Sequence, residues 1–283
     1  MADRMKSIAE VMGMDNRHTT PDVTSFSKRD PDFEKKWIAE YAQLTGDLNL
    51  RDGIGYDCPI CKNKGNVLVK DPVKGLEWRE CECIVKRENI RRVRRSGLTN
   101  INRYRFDNFE AKEPWQKTLL DCAISYALNP KGWFFIGGQV GCGKTHLCTA
   151  ICSKLFAEKR GLYFMWRSEA VRLKTAAVSE PDYYAKRVGE AKTVELLYID
   201  DLFKAGANNI TAADINLAFE IINHRYVQHL TTIISTELSL AEIGELDEAV
   251  SSRIYEMCER SNRITIPKDE KKNHRMMDGV VLT

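Results

Sequence analysis

The sequence predicts an α/β fold in which a parallel sheet is flanked by helices and preceded by a small cysteine-bearing module. Three observations carry this. From about residue 101 onward, short apolar strands alternate with helical stretches, the pattern of a parallel sheet covered on both faces. One strand–helix junction reads Gly138-Gln139-Val140-Gly141-Cys142-Gly143-Lys144-Thr145, which fits G-x-x-x-x-G-K-[ST]. Upstream lie two close cysteine pairs, Cys58 with Cys61 and Cys81 with Cys83.

A chain of 283 residues has room for one large domain and a small one. Three regions are expected. Residues 1–55 mix short helical stretches, such as 33–44, with turn-rich pieces. Residues 56–100 hold the cysteines and then a strongly basic run, and residues 101–283 form the α/β domain. The chain has no run of 18 apolar residues and no apolar signal core at its start, so a cytoplasmic protein is expected. Nine cysteines in that setting argue for reduced thiols and metal, not disulfides. A net charge of only +3 means that any nucleic-acid binding must come from a local patch.

The cysteines follow the pattern C-x2-C, a 19-residue gap, then C-x-C. Four thiolates in two close pairs can meet tetrahedrally around Zn²⁺, about 2.3 Å from each sulfur. Turn signals at 63–66 and 71–75 flank Val67-Leu68-Val69, as in a zinc-ribbon hairpin. A module this small needs its metal to fold, which makes the zinc structural. Residues 86–95 then carry six bases against one acid. This run either contacts phosphates or an acidic partner, or forms a solvated helical face. Trp78, Tyr104, Phe106 and Phe109 around it suit base stacking or core packing.

In the α/β region a buried strand over 132–137 runs into the glycine-rich loop. A helix over 146–159 follows, with Leu147, Ile151 and Leu155 on one face and Gly161 as its stop. The glycines let backbone N–H groups turn inward on phosphate oxygens at the positive end of the helix. Lys144 reaches the β- and γ-phosphates and the Thr145 hydroxyl ligates Mg²⁺, while Cys142 occupies a filler position. Strands are expected at 133–137, 162–166, 195–200, 231–236 and 263–266. The third ends in Asp200, suited to the Mg²⁺ shell, and Asp201, suited to orient or polarise the attacking water. A helix over 211–229 opens on the capping pair Thr211 and Asp214 and turns Ile215, Phe219, Ile222 and Tyr226 to the core. The strand after it brings Thr236 and Glu237 beside the γ-phosphate. Arg253 is either a surface arginine or a finger reaching a neighbour's site. Lys174, Lys186 and Arg187, between the second and third strands, and Lys204, just past Asp201, are candidate contacts for single-stranded DNA.

In this order the pieces resemble the bacterial and phage replicative helicase loaders of the DnaC/DnaI type. The resemblance runs from about residue 56 to the end. It rests on the cysteine pattern with its basic helix, the linker Ser96-Gly97-Leu98, the segment Tyr104-Arg105-Phe106-Asp107-Asn108-Phe109, the phosphate loop, Tyr198-Ile199-Asp200-Asp201-Leu202-Phe203 and Ser252-Arg253-Ile254. It implies an AAA+ ATPase core that binds single-stranded DNA and an N-terminal region that docks onto a hexameric replicative helicase. It also implies ATP held between neighbouring subunits, with Arg253 at the finger position and Arg275 near a sensor arginine. One departure stands out: those ATPases usually place an asparagine at the strand tip where this chain has Glu237. A carboxylate donates no hydrogen bond to a γ-phosphate, so either Thr236 takes the role or γ-phosphate sensing is altered. An IstB-type transposition helper ATPase looks similar from about residue 104 onward. A small-molecule phosphotransferase, and a zinc-ribbon DNA-binding regulator with a nucleotide switch, are the rivals from other classes.

Overall fold

The protein is described here by a computed structural model covering residues 32–71, 75–99, 103–204 and 210–274. These residues form two compact units that part between Arg91 and Arg92. The first holds helices α1 (Phe33–Gln43) and α2 (Leu48–Asp52) and an antiparallel hairpin of β1 (Asn66–Asp71) and β2 (Gly75–Glu80). Helix α3 (Cys83–Arg95) spans the point of division.

Residues 32–55, which composition separates from the cysteine module, pack with it. The Lys64 ammonium is buried and donates to the carbonyls of Tyr41 (2.9 Å) and Leu44 (2.6 Å), holding the C-terminal end of α1. Tyr41, Trp37 and Trp78 form an aromatic cluster, the Tyr41 and Trp78 rings meeting edge-on at 4.6 Å. Arg87, one of the six bases read as either a partner-facing run or a solvated helical face, is 2% exposed. Its guanidinium donates to Asn49, Asp52, the Tyr56 carbonyl and Asn63. It is a strut inside this unit. A buried guanidinium keeps its charge only with such partners, and α2 supplies two of them.

The second unit is built on a five-stranded, all-parallel sheet: β3 (Phe134–Gly138), β4 (Gly161–Met165), β5 (Leu196–Leu202), β6 (Thr231–Thr236) and β7 (Arg263–Ile266). Each lies within two residues of its expected position. The spatial order is β4-β5-β6-β3-β7. Alternate side chains serve opposite faces, as the two-residue period of a strand demands. Phe134, Ile136, Leu196, Tyr198 and Ile233 join one core with α4 (Pro114–Leu128) and α5 (Lys144–Glu158). Phe135, Leu197, Ile199 and Ile234 join the other, with α6 (Trp166–Ser179), α7 (Pro181–Thr193), α8 (Ala212–Val227), α9 (Leu240–Leu246) and α10 (Glu248–Met257). Since β3 lies between β6 and β7 while the chain leaves it for the far edge, the order in which strands are laid down reverses beside β3. That is where a doubly covered parallel sheet opens a crevice.

Two local expectations change. Residues 96–98 are not a free linker. Ser96 and Leu98 are 1% and 4% exposed, and the Ser96 carbonyl accepts the Tyr163 N–H of edge strand β4 at 2.7 Å. The capping box of Thr211 and Asp214 opens α8 as expected. Its buried stripe, however, is Leu217, Ala218, Ile221, Ile222 and Arg225, with Ile215, Phe219 and Tyr226 only half-buried beside it. The face is rotated because Arg225 claims the centre. Fully buried, it donates five hydrogen bonds: to the carbonyls of Ala191, Lys192, Val194 and Thr231 and to the Thr232 hydroxyl. Burial lowers its pKa to about 9, so it still carries charge at neutral pH, and it clamps the ends of α7 and α8 to the start of β6.

Replacing Arg225 with Met keeps the apolar volume and orphans four carbonyls, two of them in buried hydrogen bonds. Arg225→Met is expected to destabilise this unit by about 3–5 kcal/mol, read as a lower urea midpoint in denaturation followed by circular dichroism. A midpoint equal to wild type would show that the clamp contributes nothing.

Candidate nucleotide site and cysteine centre

The glycine-rich loop closes the tip of β3 in the conformation its sequence requires. Gly138, Gly141 and Gly143 have φ of 99°, 73° and 97°, the left-handed region that disfavours any residue with a Cβ. Space adds a second constraint: a Cβ on Gly138 would lie 2.0 Å from the Ile266 carbonyl oxygen. Gly143 caps α5, which begins at Lys144. Lys144 is 7% exposed and its Nζ donates to the carbonyls of Gly138 (2.8 Å) and Gln139 (2.6 Å). Burial holds its pKa below the usual lysine value. Cys142 fills the core as expected, 1% exposed, its thiol donating to the Gln139 carbonyl. His146 follows, flanked by the Tyr104 and Phe109 rings, each with its centroid 5.1 Å away.

Asp200, at the tip of β5, is 4% exposed and accepts four hydroxyl hydrogen bonds. Oδ1 accepts from Ser235 (2.5 Å), Tyr198 (2.7 Å) and Thr145 (3.2 Å), and Oδ2 from Tyr163 (2.9 Å). Burial, together with nearby anions, raises the pKa of both tyrosines, so they stay neutral donors. The Thr145 hydroxyl and the Asp200 carboxylate, the two expected Mg²⁺ ligands, therefore already touch. An oxygen pair of this kind beside a phosphate loop fits a hard divalent cation. The tyrosines and Ser235 were not foreseen. Tyr198 had a signal, since a residue two before Asp200 on a strand shares its face; Tyr163 and Ser235 reach it from neighbouring strands.

Asp201 owes its position to a β-bulge. Ile199 pairs with Ile234 and Leu202 with Thr236, so Asp200 and Asp201 together oppose Ser235 alone. The extra residue puts Asp201 at a φ of 58°, and its N–H donates to the Ser235 hydroxyl. Its carboxylate turns into a cleft lined by Val140, Gly141, Gly143, Lys144, Thr145, Lys204 and Glu237. Burial and the neighbouring Asp200 charge raise its pKa from the usual carboxylate range. Lys204 bridges Asp201 Oδ2 at 3.0 Å and Glu237 Oε1 at 2.7 Å. Thr236 does not take up the strand-tip role. It is fully buried and its one hydroxyl proton goes to the Leu202 carbonyl at 2.7 Å.

The remaining candidates scatter. Arg253, in α10, donates to Asn223 Oδ1 and the Ala249 carbonyl and lies over the Phe219 and Tyr226 rings. It is packed on α8 of its own chain. Arg275 lies outside the described residues. Of the four DNA candidates, Lys174 pairs with Asp214 (2.7 Å) and Arg187 with Glu169 (2.5 Å) and Glu190 (2.9 Å). Lys204 is held in the cleft, and Lys186 is exposed on α7.

In the first unit Cys58, Cys61, Cys81 and Cys83 converge, their sulfurs within 4.8 Å of one another and all buried. Cys58 and Cys81 sulfurs stand 3.7 Å apart, those of Cys61 and Cys83 3.4 Å. Ligands 2.3 Å from a tetrahedral Zn²⁺ would stand about 3.8 Å apart, so the set fits that ion. The Gly65 N–H points at Cys61 Sγ (3.3 Å) and the Cys61 N–H at Cys58 Sγ (3.5 Å). Against the effect of burial, backbone N–H groups draw Cys58 down to about 7, whereas burial and the neighbouring sulfurs push Cys83 well up. Four such thiols cannot all ionise without a cation among them.

Fold and phosphate loop together define an ATP-binding domain of the AAA+ type. The chain belongs to the IstB-like ATP-binding protein family, whose model matches residues 78–261. It is 32% identical over 246 residues to the phage-like element PBSX protein XkdC of Bacillus subtilis (strain 168), spanning 81% of this chain and 89% of that protein. The uncharacterized protein YqaM of the same organism is 29% identical over 276 residues, 79% of this chain and 87% of its own. Among solved structures, a DnaC helicase loader matches with a TM-score of 0.51 at 26% identity, covering 60% of this chain and 98% of that one.

Elemental analysis of purified protein is expected to find one Zn²⁺ per chain. Cys58→Ser should lose the metal and unfold the first unit, read as protease sensitivity confined to residues 32–91. Full structure in metal-free protein would refute a structural zinc.

Proposed function

We propose that the chain is an ATP-hydrolysing loader that docks onto a hexameric replicative DNA helicase and places it on single-stranded DNA. The observation that carries this reading is the cleft at the sheet's reversal point, where the phosphate loop faces Asp200 and Asp201 in a domain resembling the DnaC helicase loader. When bound, ATP with Mg²⁺ supplies the phosphoanhydride whose cleavage drives the cycle. The protein's own groups divide the work. Loop N–H groups and Lys144 hold the phosphates, Thr145 and Asp200 hold the cation, and Asp201 orients the water. Arg253 would have to leave its contacts with Asn223 and Ala249 to complete a neighbour's site in trans, which makes activity depend on self-association. Residues 56–100, with their zinc, dock on the helicase. Lys186, exposed on α7, is left as the candidate for phosphate contacts with DNA, which would make binding salt-dependent and indifferent to base sequence. No helix among the described residues is long and apolar enough to cross a membrane, and the cytoplasm is the proposed compartment.

A second reading, an IstB-type transposition helper, is favoured by the family model itself. Pull-down separates the two: a loader retains a hexameric replicative helicase, a transposition helper does not.

Three variants test the chemistry. Lys144→Ala is expected to abolish nucleotide binding. Asp201→Asn should bind ATP with near wild-type affinity and lose at least about 100-fold in hydrolysis, the scale of a general-base contribution. Arg253→Ala should bind but hydrolyse poorly, and mixing it with Lys144→Ala protein should restore part of the activity. Wild-type turnover by Asp201→Asn, or no rescue in mixtures that do assemble, would sink the corresponding assignment.

A further inference from the structure

The tip of β6 cannot read a γ-phosphate with its own side chains. The Ser235 hydroxyl donates to Asp200, the Thr236 hydroxyl to the Leu202 carbonyl, and Glu237 is a carboxylate. A site that must tell ATP from ADP therefore takes its donor from elsewhere, and the cleft presents one. The Lys204 ammonium sits between Asp201 and Glu237, at 3.0 Å and 2.7 Å. Its position is built in. Asp201 and Phe203 both take positive φ, 58° and 61°, and the Lys204 N–H closes the turn on the Asp201 carbonyl at 2.9 Å. The tight turn after the bulge thus sets Lys204 over the carboxylate three residues before it.

We propose that Lys204 is the γ-phosphate sensor of this site and the latch on Asp201, a positioning residue and not a DNA contact. The inference rests on the ATPase reading and deepens it. An ammonium has three donors, and two are engaged here. Paired with Lys204, the Asp201 carboxylate is a poor acceptor for a water proton. A terminal phosphate carries more charge than a carboxylate and offers three oxygens, so it competes for Lys204 through a charge-assisted hydrogen bond. Glu237 keeps the ammonium at the cleft while Asp201 is released. Water then adds to the γ-phosphorus, the bond to the bridging oxygen breaks with its electron pair leaving on ADP, and the water proton passes to Asp201. ADP lacks the terminal group and leaves the latch closed. A ligand shifts such an equilibrium only by its differential contact with the two states, and here that contact is the Lys204–γ-phosphate pair. The device also accounts for Glu237 at a strand tip where a neutral donor is usual: its partner is the lysine, not the nucleotide.

The test is equilibrium binding of fluorescent ADP and of a non-hydrolysable ATP analogue to the full chain. Lys204→Met is expected to bind ADP as wild type does but the analogue about tenfold or more weakly, one charged hydrogen bond's worth. Lys204→Arg should recover most of the preference. Lys204→Gln serves the same comparison should the methionine variant not fold. Single-stranded DNA affinity should be unchanged in all three. An unchanged analogue-to-ADP ratio in a folded Lys204→Met protein, or a loss confined to DNA affinity, would overturn the assignment. A failure of Lys144→Ala to weaken either nucleotide would instead remove the ATP site itself.

Discussion

The Asp200 carboxylate is buried at the tip of a central strand, where an ion without partners would be costly. Its four hydroxyl donors come from β4, β5, β6 and the first turn of α5. One ion therefore draws three strand tips and the helix behind the phosphate loop to a common point, and removing it would leave four hydroxyls facing one another. At the opposite ends of the inner strands, where β5 and β6 begin, Arg225 does the converse, a buried cation collecting carbonyls. Between these two polar clamps the sheet is apolar on both faces. The phosphate cleft is tied to the first clamp through Thr145, which stands in the first turn of the helix behind the loop and donates to Asp200.

Position is also divided cleanly between neighbouring residues. Asp200 continues the strand's alternation and points into the hydroxyl cluster. Asp201 would face the opposite side of a regular strand; the bulge turns it into the cleft instead. Adjacent acids thereby take separate positions, one buried among hydroxyls and one facing solvent and Lys204. A deletion of one residue at this point would restore regular pairing and take Asp201 out of the site.

Much of this was legible in the sequence because it depends on local rules. The phosphate loop needs glycines at positive φ, and Gly138, Gly141 and Gly143 announce it. Strand positions follow from apolar runs, and the cysteine spacing foretells the converging sulfurs. What escaped depends on contacts between distant residues. That Arg87 is a strut and Arg225 a clamp cannot be seen in a charge run or a helical stripe, because a buried arginine looks like an exposed one until its acceptors are in place. Tyr163 and Ser235 belong to the site only through strand pairing. Thr236 illustrates the same limit: its hydroxyl suited the sensor role on position alone, and a backbone carbonyl had already taken it.

The stretch at residues 96–98 has a further consequence. Strand β4 ends the sheet, and an uncovered edge is a template for pairing with another chain. The Ser96 carbonyl occupies the Tyr163 N–H, while Val93 and Leu98 are buried in the adjoining core. The composition invites a cut at residue 101 to isolate the nucleotide-binding domain. Such a piece would keep every residue of the phosphate cleft yet expose part of a sheet edge and the apolar bed of two side chains, so its solubility, not its chemistry, would suffer first. The seam of this protein runs through a helix, and a cut made in the adjacent loop would separate the sheet from its own cover.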